Sequence, residues 1–228
     1  MKPRPTEEEL KRLYTGPYVE KYERKSLARL RRLLPYFDLQ ARDVVADFGC
    51  GNGMLAELVH DKVGEYAGVD FSAAFIAAAR RGVGARGFTN VRFECADLVD
   101  FCSRHPASFD KAFTLDFSEH VHDDTFASIY SAIHGALKPG GLLYLHTPNR
   151  EYFLEILKEK GLLRQFPEHV AVRTAGENTR LLQSAGYQRI EVTYLAHYVA
   201  LLRALHPLSF APGFGKLFRA RLLIVCRK

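Results

Sequence analysis

The feature that most constrains this chain is a short apolar run that ends in alternating glycines. Residues 43–48 read as a buried strand because the run is apolar and breaks at the first glycine. Glycines at alternate positions let the backbone turn sharply and approach a ligand closely. A tight turn without a ligand is the alternative. The residues at the end of this strand and in the turn are Asp47, Gly49, Cys50, Gly51, Asn52 and Gly53.

The rest of the chain alternates predicted strands with predicted helices. Strands are expected at 43–48, 66–70, 91–95, 111–115, 142–146, 189–194 and 221–227. Helices are expected at 18–34, 54–60, 73–81, 125–137, 152–158 and 177–184, with a linking segment between the third and fourth strands. This alternation predicts an α/β fold, a largely parallel sheet with helices on both faces. Ligands of such sheets bind beyond the carboxyl ends of the strands.

Composition excludes several other classes of protein. No apolar run approaches the ~18 residues of a membrane-spanning helix. The first residues lack the apolar region of a secretory signal. The four cysteines show no metal-binding spacing, which suits reduced thiols, so we expect a cytoplasmic protein. The net charge of +6 is compatible with nucleic acid or anionic lipid but establishes neither.

Two aspartates at later strand ends favour a nucleoside ligand. Asp70 can bind both ribose hydroxyls because a carboxylate offers two acceptor oxygens. Asp97 can accept a hydrogen bond from the amino group of adenine, although a helix cap is its alternative role. Phe71 and Leu98 follow these aspartates and belong to the same predicted site. A dinucleotide fingerprint would require glycine at Met54, and a phosphate-binding Gly-Lys-Ser/Thr sequence is absent.

Taken in order, these motifs resemble those of the class I S-adenosylmethionine-dependent methyltransferases. The resemblance covers residues 40–147 through DFGCGNG, VDFS, CADL, FDKAFTLDFSEHVHD and LKPGG. It implies that S-adenosylmethionine is the cofactor, with the methionine moiety at the glycine turn, the ribose on Asp70 and the adenine near Asp97. It also implies a Rossmann-like, seven-stranded, mostly parallel sheet whose last strand is antiparallel.

We expect a single methyltransferase domain over residues 1–228. Residues 1–40 would form an N-terminal helical lid, and residues 41–195 and 221–228 the core. Residues 196–220 form an apolar insertion before the last strand, with three phenylalanines and several basic residues. This insertion could line an apolar substrate pocket, make peripheral contact with a membrane, or simply cover the core.

Candidates for acid–base chemistry follow the fourth and fifth strands. His120 could remove a proton from a hydroxyl acceptor, because the usual pKa of histidine is about 6.5. Glu119 and His120 could equally shape the turn beneath the cofactor. His146 is the second candidate base. Asp116 is expected to lie beside the cofactor.

Asp116, Glu119 and His120 are also similar to the Glu-x-x-Glu-His trio of the ubiquinone-pathway O-methyltransferases. In that family the trio is associated with magnesium, so the resemblance implies Mg²⁺ on these residues. Such a cation would lower the pKa of a phenol and orient it. The aspartate reaches less far than the family's glutamate, and a neutral imidazole is an unusual ligand for magnesium.

We therefore expect a methyltransferase that acts on a small aromatic or lipophilic acceptor, with oxygen favoured as the methylated atom. Carbon or nitrogen acceptors, an NAD-dependent oxidoreductase and a catalytically silent scaffold are the alternatives. Nucleic acid is a poor candidate substrate because no Asn-Pro-Pro-Tyr-type motif follows the fourth strand. The sequence does not determine the oligomeric state.

Overall fold

The computed structural model describes residue 9, residue 14, residues 16–23 and residues 26–228. Seven strands form one sheet: β1 (Val44–Phe48), β2 (Glu65–Asp70), β3 (Val91–Cys95), β4 (Phe109–Leu115), β5 (Leu137–Pro148), β6 (Gln188–Leu195) and β7 (Arg221–Arg227). Their spatial order is β3-β2-β1-β4-β5-β7-β6. The first five strands pair in parallel, and β7 is antiparallel to both β5 and β6. The predicted fold class is confirmed.

Helices lie around this sheet. Within the described residues they are α1 (Gly16–Glu23), α2 (Ala28–Arg31), α3 (Met54–Val59), α4 (Ala73–Gly82), α5 (Leu98–Arg104), α6 (Asp123–Ala136), α7 (Phe153–Glu159), α8 (Ala175–Ser184) and α9 (Ala200–Arg203). Two predictions were wrong. The segment between β3 and β4 is not a plain link but contains α5, and the helix predicted at 18–34 is divided into α1, α2 and a short 3₁₀ turn. Residues 1–8, 10–13, 15 and 24–25 of the predicted lid lie outside the described residues.

The strands form because their apolar side chains are buried on both faces of the sheet. Ala46 and Phe48 of β1 pack into one core cluster, together with Phe101 of α5. Val45 points to the opposite face and packs into a second cluster with Phe113 of β4. Side chains alternate between the faces of a strand, so one apolar run supplies both cores.

Side-chain caps fix where two helices begin. Ser72 accepts a hydrogen bond from the Phe75 backbone N–H at the start of α4. Thr174 and Glu177 form a reciprocal capping box at the start of α8. These caps satisfy N–H groups that have no partner within the helix. They also set where each helix starts relative to the carboxyl ends of the strands.

The sheet topology brings the ends of β1, β2 and β4 together. The chain runs outward from β1 through β2 to β3 and then crosses back to β4 on the other side of β1. A crevice forms at such a switch point because the connecting loops diverge. The residues that follow these strands therefore meet in one crevice.

Residues 196–220 form α9 and the 3₁₀ turns His206–Phe210 and Gly215–Phe218 before β7. Large apolar side chains of this segment reach solvent: Leu201 is 78% exposed and Phe210 82%. Among the described residues, no helix has both the length and the apolar character needed to cross a membrane.

Candidate functional site

The turn after β1 depends on glycine. Gly49, Gly51 and Gly53 all have positive φ angles, between 53° and 79°. Residues that carry a side chain rarely adopt this left-handed backbone conformation. A Cβ atom on Gly49 would also lie 2.6 Å from the ring of Phe117. The turn is tied to the end of β2, because the Gly49 N–H donates to the carbonyl of Val69 at 2.8 Å.

Asp70 connects this turn to the start of α4. Its Oδ2 accepts from the Gly51 N–H at 3.0 Å and its Oδ1 from the Ser72 N–H at 2.9 Å. Burial raises the pKa of Asp70 to about 6, and the two backbone donors act in the opposite direction. Each carboxylate oxygen has a second lone pair, so the group can accept further hydrogen bonds.

A cavity, called here the first cavity, opens beside this turn. Its lining contains three aspartates and, among the described residues, neither lysine nor arginine. The lining residues are Tyr14, Tyr18, Tyr22, Gly49, Gly51, Asp70, Phe71, Phe75, Asp97, Leu98, Asp116, Phe117, His120, Val121, His122, Thr125 and Ile129. Asp116 is paired with arginines that lie outside this lining. Asp70 and Asp97 still give the lining a charge that suits a positively charged ligand and opposes a pyrophosphate.

Aromatic rings from the N-terminal segment cover one side of the first cavity. Tyr22 of α1 lies edge-to-face with Phe75 of α4 at 5.4 Å between centroids. Tyr14 makes a similar contact with Phe71 at 5.5 Å. The faces of aromatic rings attract cations, so these rings add to the preference of the aspartates for positive charge.

Asp97 caps a helix, which is the alternative role that the sequence suggests for it. Its Oδ1 accepts from the backbone N–H groups of Val99 and Asp100, at 2.8 and 3.2 Å, at the start of α5. The residue nevertheless lines the first cavity beside Leu98. Capping occupies Oδ1, so a hydrogen bond to adenine would use Oδ2.

Four of the residues predicted to bind the ligand at the turn do not line the first cavity. Asp47 is buried and accepts from the Tyr66 hydroxyl at 2.5 Å. Burial raises the pKa of Asp47 to about 7, while the Tyr66 hydrogen bond acts to lower it. The other three are Cys50, whose thiol is buried, Asn52, whose Oδ1 is buried without a hydrogen-bond partner among the described residues, and Gly53, which precedes α3.

His120 lines the first cavity and is held by its neighbours. Its Nδ1 lies 2.9 Å from the backbone carbonyl of Glu168 and 3.0 Å from the Tyr14 hydroxyl. A carbonyl oxygen only accepts hydrogen bonds, so we assign the proton to Nδ1. This tautomer makes Nε2 the basic nitrogen of the ring.

Glu119 is buried beneath the loop and does not line the first cavity. Its Oε2 accepts from the Thr147 hydroxyl at 3.0 Å. Burial raises the pKa of Glu119 to about 7, and the hydrogen bonds and Arg29 lower it. The backbone carbonyl of Glu119 also accepts from the N–H groups of Val170 and Ala171, so the residue joins two loops of the site.

Asp116 lies in a buried charge cluster. Its backbone φ is +54°, a strained angle for a residue other than glycine. Its carboxylate accepts from Arg29 at 2.6 Å, from Arg221, and from the Tyr198 hydroxyl at 3.2 Å. His146 Nδ1 is 3.1 Å from Asp116 Oδ1.

The placement of His146 weighs against its predicted role as a base. The side chain is buried and does not line the first cavity. Burial lowers the pKa of His146 to about 3, and nearby Arg29 lowers it further. A ring with so low a pKa takes up a proton poorly near neutral pH. His120 is thus the better placed of the two candidate bases.

The donor set near Glu119 does not fit magnesium. Among the described residues, the possible ligand atoms of Glu119, His120 and His169 lie within 4.8 Å of one another, and Asp116 is not part of this group. Asp116 instead binds Arg29 and Arg221. Magnesium prefers oxygen ligands, whereas two imidazoles suit transition metals. The predicted trio is therefore not brought together as a magnesium site.

Arg173 is a site residue that sequence analysis missed. It is buried and donates to the backbone carbonyls of Ser118 and Val121, at 2.7 and 2.8 Å. It also forms an ion pair with Asp123 at 2.7 Å. These bonds hold the loop that carries His120. No sequence signal connects the residues, because they are about 50 positions apart.

The fold is of the α/β class, and the lining of the first cavity fits a nucleoside that carries positive charge. Residues 45–141 match the family model described as a methyltransferase domain. The ubiquinone biosynthesis O-methyltransferase of Thiobacillus denitrificans is 29% identical over 160 residues, which are 67% of this chain and 68% of that protein. These similarities support the expectation of a methyltransferase enzyme.

Solved structures agree on the fold. An S-adenosylmethionine-dependent methyltransferase from Mesorhizobium loti has a TM-score of 0.65 and 23% identity, covering 89% of this chain and 100% of that one. Phosphoethanolamine N-methyltransferase 2 of Haemonchus contortus, in complex with S-adenosyl-L-methionine, has a TM-score of 0.67 and 19% identity, over 88% of this chain and 52% of that one. At these identities the comparison shows the fold alone.

Proposed function

We propose that the protein methylates an oxygen atom of a small aromatic or lipophilic acceptor. Relatives named ubiquinone biosynthesis O-methyltransferase support oxygen as the acceptor atom, and the chain spans about two thirds of their length. The observation that carries the proposal is the placement of His120. Its ring lines the same cavity as the glycine turn and Asp70.

The residues of the first cavity fit S-adenosylmethionine. The glycine turn leaves room for its methionine moiety, Asp70 offers acceptors to the ribose, and Asp97 does so for the adenine. The aspartates and aromatic rings favour its positive charge. When bound, this cofactor supplies an activated methyl group, so the protein needs to align the acceptor and exclude water.

His120 would remove the proton from the acceptor hydroxyl. Its Nε2 is the basic nitrogen when Nδ1 donates to the Glu168 carbonyl, and Tyr14 helps to fix the ring. The apolar side chains of Phe117, Val121 and Ile129 line the same cavity. They would favour an aromatic or lipophilic acceptor over a strongly hydrated one.

A methyl-transfer assay over phenols, amines and fatty acids, with and without EDTA, tests this proposal. We expect phenols to be methylated, and EDTA to have no effect. His120→Gln should reduce turnover by about 10²–10⁴-fold while binding of S-adenosylhomocysteine persists. His60→Gln is the matched control, because His60 stacks on Phe88 and does not line the cavity. Methylation of amines alone, or full turnover by His120→Gln, would contradict the proposal.

We further propose that residues 196–220 contact a membrane surface from which a lipophilic acceptor is taken. Phe210 and Phe214 are 82% and 52% exposed there, and apolar side chains flanked by basic ones favour anionic lipid. Co-sedimentation with anionic vesicles should fall for the double variant Phe210→Ser, Phe214→Ser. Leu162→Ser, which changes an exposed leucine outside this segment, is the control. Binding that does not change, or that is absent in the wild type, removes this part of the proposal.

A further inference from the structure

A second cavity lies on the other side of the Asp116 cluster. Three arginines line it, and the described residues contribute no aspartate or glutamate to its lining. The lining residues are Arg29, Arg32, Leu33, Tyr36, His146, Leu195, Ala196, His197, Tyr198 and Arg203. The charge of the second cavity is therefore opposite to that of the first. Among the described residues, the lining of the first cavity contains aspartates but no lysine or arginine.

The buried cluster between the cavities carries more positive than negative charge. Asp116 forms ion pairs with both Arg29 and Arg221. The other two members of the cluster, His146 and Tyr198, are neutral. Burial lowers the pKa of the histidine, so its ring stays unprotonated, and raises that of the tyrosine, so its hydroxyl keeps its proton. One carboxylate thus forms ion pairs with two guanidinium groups. Buried positive charge is costly unless it is paired. Glu119 also attracts Arg29 but forms no ion pair with it, so the direct contacts leave the cluster able to bind a further anion.

The arginines of the second cavity also have hydrogen-bond donors to spare. Arg29 Nε is buried and has no hydrogen-bond partner in the described part of the chain. Arg32 donates to the backbone carbonyl of Tyr198 at 3.3 Å. Between residues 26 and 228, neither Arg32 nor Arg203 forms an ion pair with an acidic side chain. The nearby Glu155 is paired with Lys158 at 2.6 Å.

We propose that the second cavity binds an anionic group of the methyl acceptor, a carboxylate or a phosphate. This inference rests on the proposed function. Guanidinium groups bind both anions through paired N–H donors. Leu33 and Leu195 lie beside the arginines in the lining and offer apolar contact to the rest of such a ligand.

The two cavities are close enough to serve one acceptor. Arg29 lines the second cavity, and its Nη1 lies 2.6 Å from Oδ2 of Asp116, which lines the first. The ion pair of Arg29 and Asp116 therefore joins the linings of the two cavities, and an acceptor that reaches both sites must pass beside it. An acceptor with an aromatic hydroxyl and an acidic substituent matches the two sites together.

Calorimetric titration of small probes into the protein saturated with S-adenosylhomocysteine tests this inference. The probes are benzoate, phenyl phosphate and the neutral benzamide. We expect at least one anion to bind about tenfold or more tightly than benzamide, since charge-assisted hydrogen bonds are strong. The tighter of the two anions identifies carboxylate or phosphate as the recognised group.

The double variant Arg32→Gln, Arg203→Gln should lose this preference for the anion. The matched control is Arg31→Gln, Arg180→Gln, which removes two exposed arginines that do not line the cavity. Equal or undetectable binding of anionic and neutral probes by the wild type, or a preference that survives in the double variant, overturns the inference. Binding of S-adenosylhomocysteine is measured in the same samples. If it persists while the anion preference is absent, the inference fails and the proposed methyl transfer does not.

Discussion

The role of Asp70 gives the sharpest prediction for a single residue. Its two carboxylate oxygens accept from the backbone N–H groups of Gly51 and Ser72 at 3.0 and 2.9 Å. Asp70→Asn keeps the size of the side chain and removes its charge. We expect this variant to fold and to lose much of its affinity for the cofactor.

The magnitudes follow from the surroundings of the carboxylate. Burial raises the pKa of Asp70 from 3.8 to about 6, so its charge costs about 3 kcal/mol near pH 7. Neutralising the group relieves this cost. The NH₂ group of the variant also cannot accept from one of the two backbone N–H groups, and leaving that donor unpaired costs about 1–3 kcal/mol. The two effects nearly cancel, so we expect the free energy of unfolding to change by less than about 2 kcal/mol.

Cofactor affinity should change more than stability. The amide of the variant offers one acceptor oxygen where the carboxylate offers two. Loss of one charged hydrogen bond to a ribose hydroxyl lowers affinity about 10–100-fold. Calorimetry with S-adenosylhomocysteine measures this change, and urea unfolding measures stability. Asp61→Asn is the control, since Asp61 is exposed and pairs with Lys62. Affinity equal to that of the wild type would show that Asp70 does not bind the ribose.

Three further substitutions test the rest of the site. Gly49→Ala should lower stability by about 1–3 kcal/mol and weaken cofactor binding, because the added Cβ meets Phe117 at 2.6 Å. Asp47→Asn should stabilise the protein more at pH 8 than at pH 5. The raised pKa of Asp47, about 7, means that its charge opposes folding as the pH rises through that value. Arg173→Lys should reduce turnover several-fold, because the donors of lysine lie on one nitrogen and cannot reach the three separate partners that hold the loop of His120.

Each substitution has a measurement that can contradict it. Gly87→Ala is the control for Gly49, because Gly87 has the same φ of 72° with nothing within 4 Å of its Cβ position. Equal losses in both variants would assign the effect to backbone strain alone. For Asp47, the free energy of unfolding in urea is measured at both pH values. The difference between variant and wild type should be larger at pH 8, and a difference that does not depend on pH would refute the raised pKa. For Arg173, a loss of stability with unchanged turnover would refute its role in positioning His120.

Much of the fold could be predicted because its signals are local. The glycine turn, the strand that precedes it and Asp70 lie within 30 residues, and each is recognisable by residue type and order. The helix α5 was missed although α7, which has the same length, was predicted. Its start was visible only as Asp97, which sequence analysis assigned chiefly to the cofactor.

The chemistry of the acceptor side could not be predicted, because it depends on contacts between distant residues. Arg29 and Arg221 are 87 and 105 positions from Asp116, and no pattern in the sequence joins them. His146 follows a strand as His120 does, so residue order alone favours neither as the base. Burial separates them, since only His120 lines the first cavity.

A crystal structure of the complex with S-adenosylhomocysteine tests the central claim most directly. The adenosine should occupy the first cavity, with its ribose hydroxyls on Asp70 and its adenine beside Asp97 and Leu98. The amino acid moiety should contact the turn at Gly49 and Gly51. Adenosine bound elsewhere, with the first cavity empty, would contradict the assignment of the cofactor site.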